Sequence, residues 1–252
     1  MIELNSKIKN ALIKIGFIER YEELSNKFNA KRTPSSNRLA YIDSEEVMET
    51  IQDLGYSPVF DIQVLSPGRK GELGTIALNQ SLQSAVNPPE KGIKKEITVN
   101  GVLLREGDKV MQVKNNYNIP WEKDDGTLGE GVYNGDVGIL LEVDRTGSAA
   151  VRYDDKVAAY DLESIGDLEL AYAVTVHKSQ GSEFEAVVMP MYPGPRQLYY
   201  RNLLYTGVTR AKNLLVMVGT PKTVERMVEN NRKTKRYTGL CYFLLRAAEE
   251  AE

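Results

Sequence analysis

The sequence predicts an α/β fold: a parallel sheet, interrupted by a small antiparallel barrel and preceded by helices. Three patterns carry this expectation. Apolar runs alternate with glycine-broken polar turns in the regions 59–89 and 170–219, short strand-like runs with regular turn signals fill the middle, and the first thirty residues have helical spacing. With 252 residues, 42% hydrophobic and 27% charged, the chain has the make-up of a globular protein with one large or two small domains.

Apolar positions at Ile8, Leu12 and Ile15, then Leu24 and Phe28, predict two helices broken near Gly16. The polar segment Lys31 to Asn37 contains Pro34 and reads as a linker. Asp43 then opens a helix, with Glu46 completing a capping box, Val47, Ile51 and Leu54 as its buried stripe, and Gly55 ending it. Val59 to Ser66 is strand-like and closes at Pro67-Gly68, and Thr75 to Val86 follows with helical spacing until Asn87-Pro88-Pro89. Such a strand–loop–helix unit puts loop residues at the carboxyl edge of a sheet, where ligands bind in open α/β folds.

From about Ile97 the texture changes. Val102 to Val113, Val137 to Val143, Ala149 to Tyr153 and Lys156 to Leu162 are short runs separated by turn signals, which predicts an antiparallel barrel of about five strands. After Leu168 the α/β texture returns. Strands are expected at Leu170 to Val176, Ala186 to Pro190 and Leu214 to Gly219, and helices at about Gln197 to Lys212 and Lys222 to Asn231.

Composition excludes several classes. No apolar run approaches the roughly 20 residues that span a bilayer, and the N-terminus lacks the basic-then-apolar order of a signal peptide, so a cytosolic protein without a membrane partner is expected. One cysteine, Cys241, and one histidine, His177, exclude a disulfide framework and a His/Cys zinc site, so no metal held by the protein alone is expected. The net charge of −3 argues against non-specific coating of nucleic acid, although lysines and arginines gather at 91–95 and 222–236. None of the 20 glycines is followed by lysine, so a phosphate loop of the form G-x-x-x-x-G-K-[ST] is absent from this sequence.

Two polar segments can carry chemistry. Thr175-Val176-His177-Lys178-Ser179-Gln180-Gly181-Ser182-Glu183 offers hydroxyl, imidazole, ammonium and amide groups suited to phosphate oxygens; glycine admits an anion to the backbone, and Glu183 can accept from a ribose hydroxyl. Taken alone, His177 and Gln180 could equally satisfy a turn. In Tyr205 to Lys212, Arg210 stands near a helix end before a buried strand, where a guanidinium can stabilise a transferring phosphoryl group or simply pair across the helix end.

Together and in this order, the two segments resemble motifs V and VI of superfamily 1 helicases, and specifically the RecD/TraA family of ATP-dependent DNA helicases, the relatives of the exodeoxyribonuclease V alpha subunit. Asp61 to Pro89 is similar to that family's motif IV region, and Tyr133-Asn134-Gly135-Asp136-Val137-Gly138 to its inserted SH3-like barrel. The resemblance runs from about residue 40 to 240; the first 38 residues are unplaced. It implies a second RecA-like motor domain over 39–95 and 166–240, an SH3-like insertion over 96–165, and a tail over 241–252.

The resemblance further implies ATP and Mg²⁺ in a complete motor that moves 5′ to 3′ on single-stranded DNA, with the phosphate loop on a first RecA-like domain missing here, and possible company from other subunits of a recombination nuclease. By position, Arg210 is the arginine finger and Arg69 a second arginine at the terminal phosphate. Gly181 and Glu183 then touch the nucleotide, and Thr175, His177 and Lys178 face the DNA. In the barrel, Asn115, Asn116 and Tyr117 lie near the strand, where tyrosine can stack on a base or be plain surface, while Asn134-Gly135 reads as a hairpin turn. This chain alone is expected to be inactive as an ATPase. A stand-alone nucleic-acid-binding or regulatory module, derived from a helicase, is the alternative, for which Met1 and the unmatched first helices leave room.

Overall fold

The computed structural model describes residues 38–39, 56–57, 59–144, 146–195, 197–231 and 239–249. The helices expected within 2–30 and after Asp43, and the linker between them, lie outside the described residues.

One sheet is wholly parallel. It contains β1 (Arg38–Leu39), β2 (Ile62–Ser66), β12 (Ala173–Thr175), β13 (Phe184–Met191) and β14 (Ala211–Gly219), in the order β1-β14-β13-β2-β12. Its strands read as near-continuous apolar runs because both faces are buried: Leu65, Val187, Met189 and Leu215 on one face pack with Leu203 and Leu204 of α2 (Arg201–Val208) and Met227 of α3 (Pro221–Glu229), and Val64, Ala186, Leu214 and Val216 are buried on the other. Burial of each such side chain contributes about 1.5 to 3 kcal/mol.

The second sheet is antiparallel and has seven strands: β5 (Lys109–Gln112), β6 (Asn116–Lys123), β7 (Leu128–Val132), β8 (Val137–Val143), β9 (Ala149–Tyr153), β10 (Lys156–Tyr160) and β11 (Leu168–Leu170), ordered β11-β5-β8-β9-β10-β6-β7. A separate hairpin, β3 (Glu96–Val99) and β4 (Val102–Arg105), turns at Asn100-Gly101, both with positive φ (50° and 77°), as a two-residue turn matched to strand twist requires.

Five differences from expectation are seen. The barrel gains the hairpin β6–β7, hidden in sequence because its exposed positions mix Glu122 and Glu130 with Tyr117, Asn118, Pro120 and Leu128, while Ile119 and Val132 are its only fully buried large side chains. Asn134-Gly135 is not a hairpin turn: β7 pairs only with β6 and β8 only with β5 and β9, and the turn is instead fixed by Gly135 N donating to Gln112 O and Gln112 N to Asp136 O, each at 2.9 Å. The expected strand Leu170 to Val176 is divided, β11 joining the antiparallel sheet and β12 the parallel one. The helix expected over 197–212 is confined to Arg201–Val208, because Thr209 and Arg210 form the turn into β14. The expected tail contains a helix, α4 (Leu240–Glu249).

Helix α1 (Thr75–Val86) joins the two sheets. Leu78 and Leu82 enter the barrel core with Leu104, Val110 and Leu140. A polar stripe at four-residue spacing is also buried. Asn79 donates to the carbonyls of Leu170 and Ala173 (both 2.9 Å) and accepts from Ala173 N (2.7 Å); Gln83 donates to Leu103 O and Asp108; Asn87, just past the helix, donates to Glu106 O and Asp108. Asp108 also accepts from Arg105 N and the Tyr172 hydroxyl, and burial nonetheless raises its pKa. Each polar atom so buried must be matched, since an unmatched one costs about 1 to 3 kcal/mol.

Candidate functional site

The register of the parallel sheet sorts the candidate residues to its two ends. Thr175 pairs with Ser66, the last residue of β2, so it lies at the carboxyl edge; Phe184 pairs with Ala211, the first residue of β14, at the opposite, amino edge. The segment 176–183 runs from one edge to the other. It is a succession of turns, with Ser179 N bonded to Thr175 O (3.2 Å), Gln180 N to His177 O (3.3 Å) and Ser182 N to Ser179 O (3.1 Å).

At the amino edge, Arg210 reaches back onto this segment. Its Nη1 donates to Ser182 O at 3.0 Å, its Nε to Thr206 O at 3.2 Å and its Nη2 to Thr209 Oγ1 at 3.2 Å, while Phe184 N donates to Arg210 O at 2.9 Å. Gly181 has φ +90°, a conformation that disfavours any Cβ, and open space beside it; Glu183 is exposed. Gly181, Glu183 and Arg210 are therefore brought together, around backbone that a polyanion can approach closely.

Arg69 is not with them. It sits in the loop after β2, where its Nη2 pairs with Glu169 Oε1 at 2.9 Å, and Lys178 Nζ lies 3.6 Å from Glu169 Oε2. Arg69, Thr75, Met111, Glu169, Thr175 and Lys178 line one recess at the carboxyl edge. Leu214 stands level with Ile62, which puts Ala211 and Ser66 roughly 20 Å apart along the sheet at about 3.3 Å per residue. Arg69 and Arg210 therefore stand near opposite edges of the sheet in this chain. His177, exposed, contacts the Tyr200 hydroxyl through Nε2 at 3.3 Å.

On the barrel, Tyr117 and Tyr133 meet edge to face, ring centroids 5.7 Å apart, and are 64% and 45% exposed, which leaves aromatic faces open to solvent. Asn115 Oδ1 accepts from Asn134 N (2.9 Å), and Asn116 Oδ1 from Asn118 N (3.1 Å), so both amides order the loops beside the ring pair. Sequence reasoning missed Tyr133, Tyr200 and Glu169 as members of these clusters. Only Glu169 left a signal, as a lone charge between the buried leucines Leu168 and Leu170.

This arrangement has counterparts. Residues 78–153 match the ATP-dependent RecD-like DNA helicase SH3 domain, and residues 170–218 match the UvrD-like helicase C-terminal domain. The chain thus carries a segment similar to the RecD-like helicase SH3 domain and, after it, one similar to the UvrD-like helicase C-terminal domain.

Over 174 residues it is 32% identical to the ATP-dependent RecD2 DNA helicase of Deinococcus radiodurans, covering 69% of this chain and 22% of that protein. Over 113 residues it is 39% identical to the RecBCD enzyme subunit RecD of Mycobacterium tuberculosis, covering 43% of this chain and 19% of that protein. The chain spans about a fifth of the length of these curated relatives. Among solved structures, Bacteroides Pif1 bound to ssDNA superposes with a TM-score of 0.40 at 16% identity, over 83% of this chain and 51% of that one. No helix among the described residues is long and apolar enough to cross a membrane.

Proposed function

We propose that this chain is the C-terminal motor half of an ATP-dependent 5′ to 3′ DNA helicase, acting on single-stranded DNA together with a first RecA-like domain that carries the phosphate loop. The observation that supports it best is the segment 176–183: one end, with Thr175, His177 and Lys178, lies at the carboxyl edge, and the other, with Gly181 and Glu183, lies under Arg210 at the amino edge. In this reading a single connection carries a strand-facing group and a nucleotide-facing group, as coupling hydrolysis to movement requires.

In this reading Arg210 stabilises charge on the transferring phosphoryl group and Glu183 holds the ribose. Arg69 serves the strand with Lys178 and Thr175, and Asn115, Asn116 and Tyr117 extend the strand path over the barrel. Mg²⁺ would be held by the nucleotide phosphates and the first domain. The motor domain comprises 39–95 and 171–240, with the barrel inserted between. In this reading the complete motor works beside other subunits of a recombination nuclease.

The test is complementation. The chain alone is expected to hydrolyse no ATP and to bind oligo(dT) in a salt-sensitive manner. Mixed with a separately produced first motor domain of a RecD-like helicase, it is expected to give strand-stimulated ATPase. Robust hydrolysis by the 252 residues alone would overturn the reading. Strand binding with no ATPase in any mixture would favour a stand-alone binding module.

A further inference from the structure

Glu169 belongs to the barrel, and its two cationic partners do not. It lies on β11, paired with Met111 of β5, whereas Arg69 follows β2 and Lys178 follows β12 of the parallel sheet. The pleat explains its orientation: Leu168 and Leu170 on either side are buried in the barrel core, so the residue between them faces the other way, into the recess. There one carboxylate oxygen takes the guanidinium and the other faces the ammonium, 2.9 and 3.6 Å away. Two anionic oxygens on one centre, held between an arginine and a lysine, is also how a backbone phosphodiester would be held.

We propose that Glu169 is a built-in competitor for the strand. In the free chain it occupies the place of one backbone phosphate between Arg69 and Lys178, and strand binding displaces it, which at the same time releases this contact between barrel and parallel sheet. The proposal rests on the reading that the carboxyl edge takes single-stranded DNA. The side chains of Arg69 and Glu169 are 52% and 37% exposed and that of Lys178 30% exposed, so the pairs are weak and exchangeable, as a displaceable contact must be. Asn79 and Gln63 fix the backbone just beyond β11 through separate hydrogen bonds, so loss of the carboxylate contact does not unfold the junction.

The experiment measures binding of fluorescent oligo(dT) to the full chain at several salt concentrations. Glu169→Gln keeps the side-chain volume and removes the charge, and Glu142→Gln, exposed on β8, controls for net charge. E169Q is expected to bind more tightly than wild type by about three- to tenfold at low salt, given the strength of exposed pairs, while E142Q changes affinity less than twofold. Adding R69A to E169Q is expected to abolish the gain. If R69A and K178A each weaken binding but E169Q equals E142Q, the competitor role is overturned and the strand reading of this edge survives. If neither R69A nor K178A changes binding, both fall together. A melting curve for each variant separates these results from misfolding.

Discussion

Arg210 donates from Nη1 to the carbonyl of Ser182 at 3.0 Å, and this bond ties the turn after α2 to the glycine-containing end of the 176–183 segment. The guanidinium is held by three acceptors in all, so it is oriented before any ligand arrives. Preorganised charge of this kind is what lowers a barrier without a reorganisation cost.

Replacement of Arg210 by alanine in the reconstituted motor should therefore lower ATP turnover by about 10³- to 10⁵-fold, the range for loss of a stabilising arginine. Affinity for oligo(dT) without nucleotide should stay within twofold. Steady-state ATPase and anisotropy titration check the two halves; near-normal turnover would sink the assignment of Arg210.

Tyr117 and Tyr133 should behave as a stacking platform. Tyr117→Ala should weaken oligo(dT) binding by about 1 to 3 kcal/mol, the usual contribution of one base on one ring, and Tyr117→Phe should restore most of it. Equal losses for alanine and phenylalanine would point to the hydroxyl and remove stacking from the account.

Asn79 matches three backbone groups where the chain leaves the barrel. Asn79→Ala leaves them buried without partners, and should cost on the order of 3 kcal/mol in urea unfolding, with faster amide exchange at Ala173. A loss below about 1 kcal/mol would mean that water or a shifted backbone replaces the side chain.

Lys109 predicts an alkaline gain in stability. Burial, partly opposed by the charge of Asp61, lowers its pKa from 10.5 to about 8, and its Nζ is satisfied by the carbonyl of Ile62 at 3.1 Å. Between pH 8 and 10.5 the unfolded chain binds the extra proton, so the free energy of unfolding should rise with pH, by on the order of 3 kcal/mol for this group across the interval. Above about pH 10 the buried hydroxyls of Tyr153, Tyr160 and Tyr172, whose pKa values burial raises, act in the opposite sense. Denaturant melts at pH 7.5 and 9.5 should show the rise in wild type and its absence in Lys109→Met.

The sequence made Thr75–Val86 legible to the residue, because apolar positions at helical spacing end against Asn87-Pro88-Pro89. Four of the seven antiparallel strands, β5 and β8 to β10, fell within expected runs for the same reason: alternation bounded by turn residues. What stayed hidden depends on partners distant in the chain. Nothing local in Leu168 to Thr175 says that its halves join different sheets; that follows from Gln63 and Asn79, about a hundred residues upstream, taking the carbonyls at the break. Equally, the family resemblance grouped Arg69 with Arg210, while strand direction and register place them near opposite edges of one sheet. The 175–183 and 205–212 segments were legible as a pair through their likeness to helicase motifs V and VI, since neither is decisive alone.

Between β11 and β12 stand only Ala171 and Tyr172, 0% and 3% exposed. Ala171 N donates to Lys109 O and Val64 N to Tyr172 O, the carbonyls of Ala171 and Tyr172 also accept from Gln63 Nε2, and the tyrosine hydroxyl donates to Asp108. A hinge needs slack, and this junction has none. A load applied to the barrel by a taut strand would therefore pass through two residues directly into Thr175, as torque through a welded joint rather than a swivel.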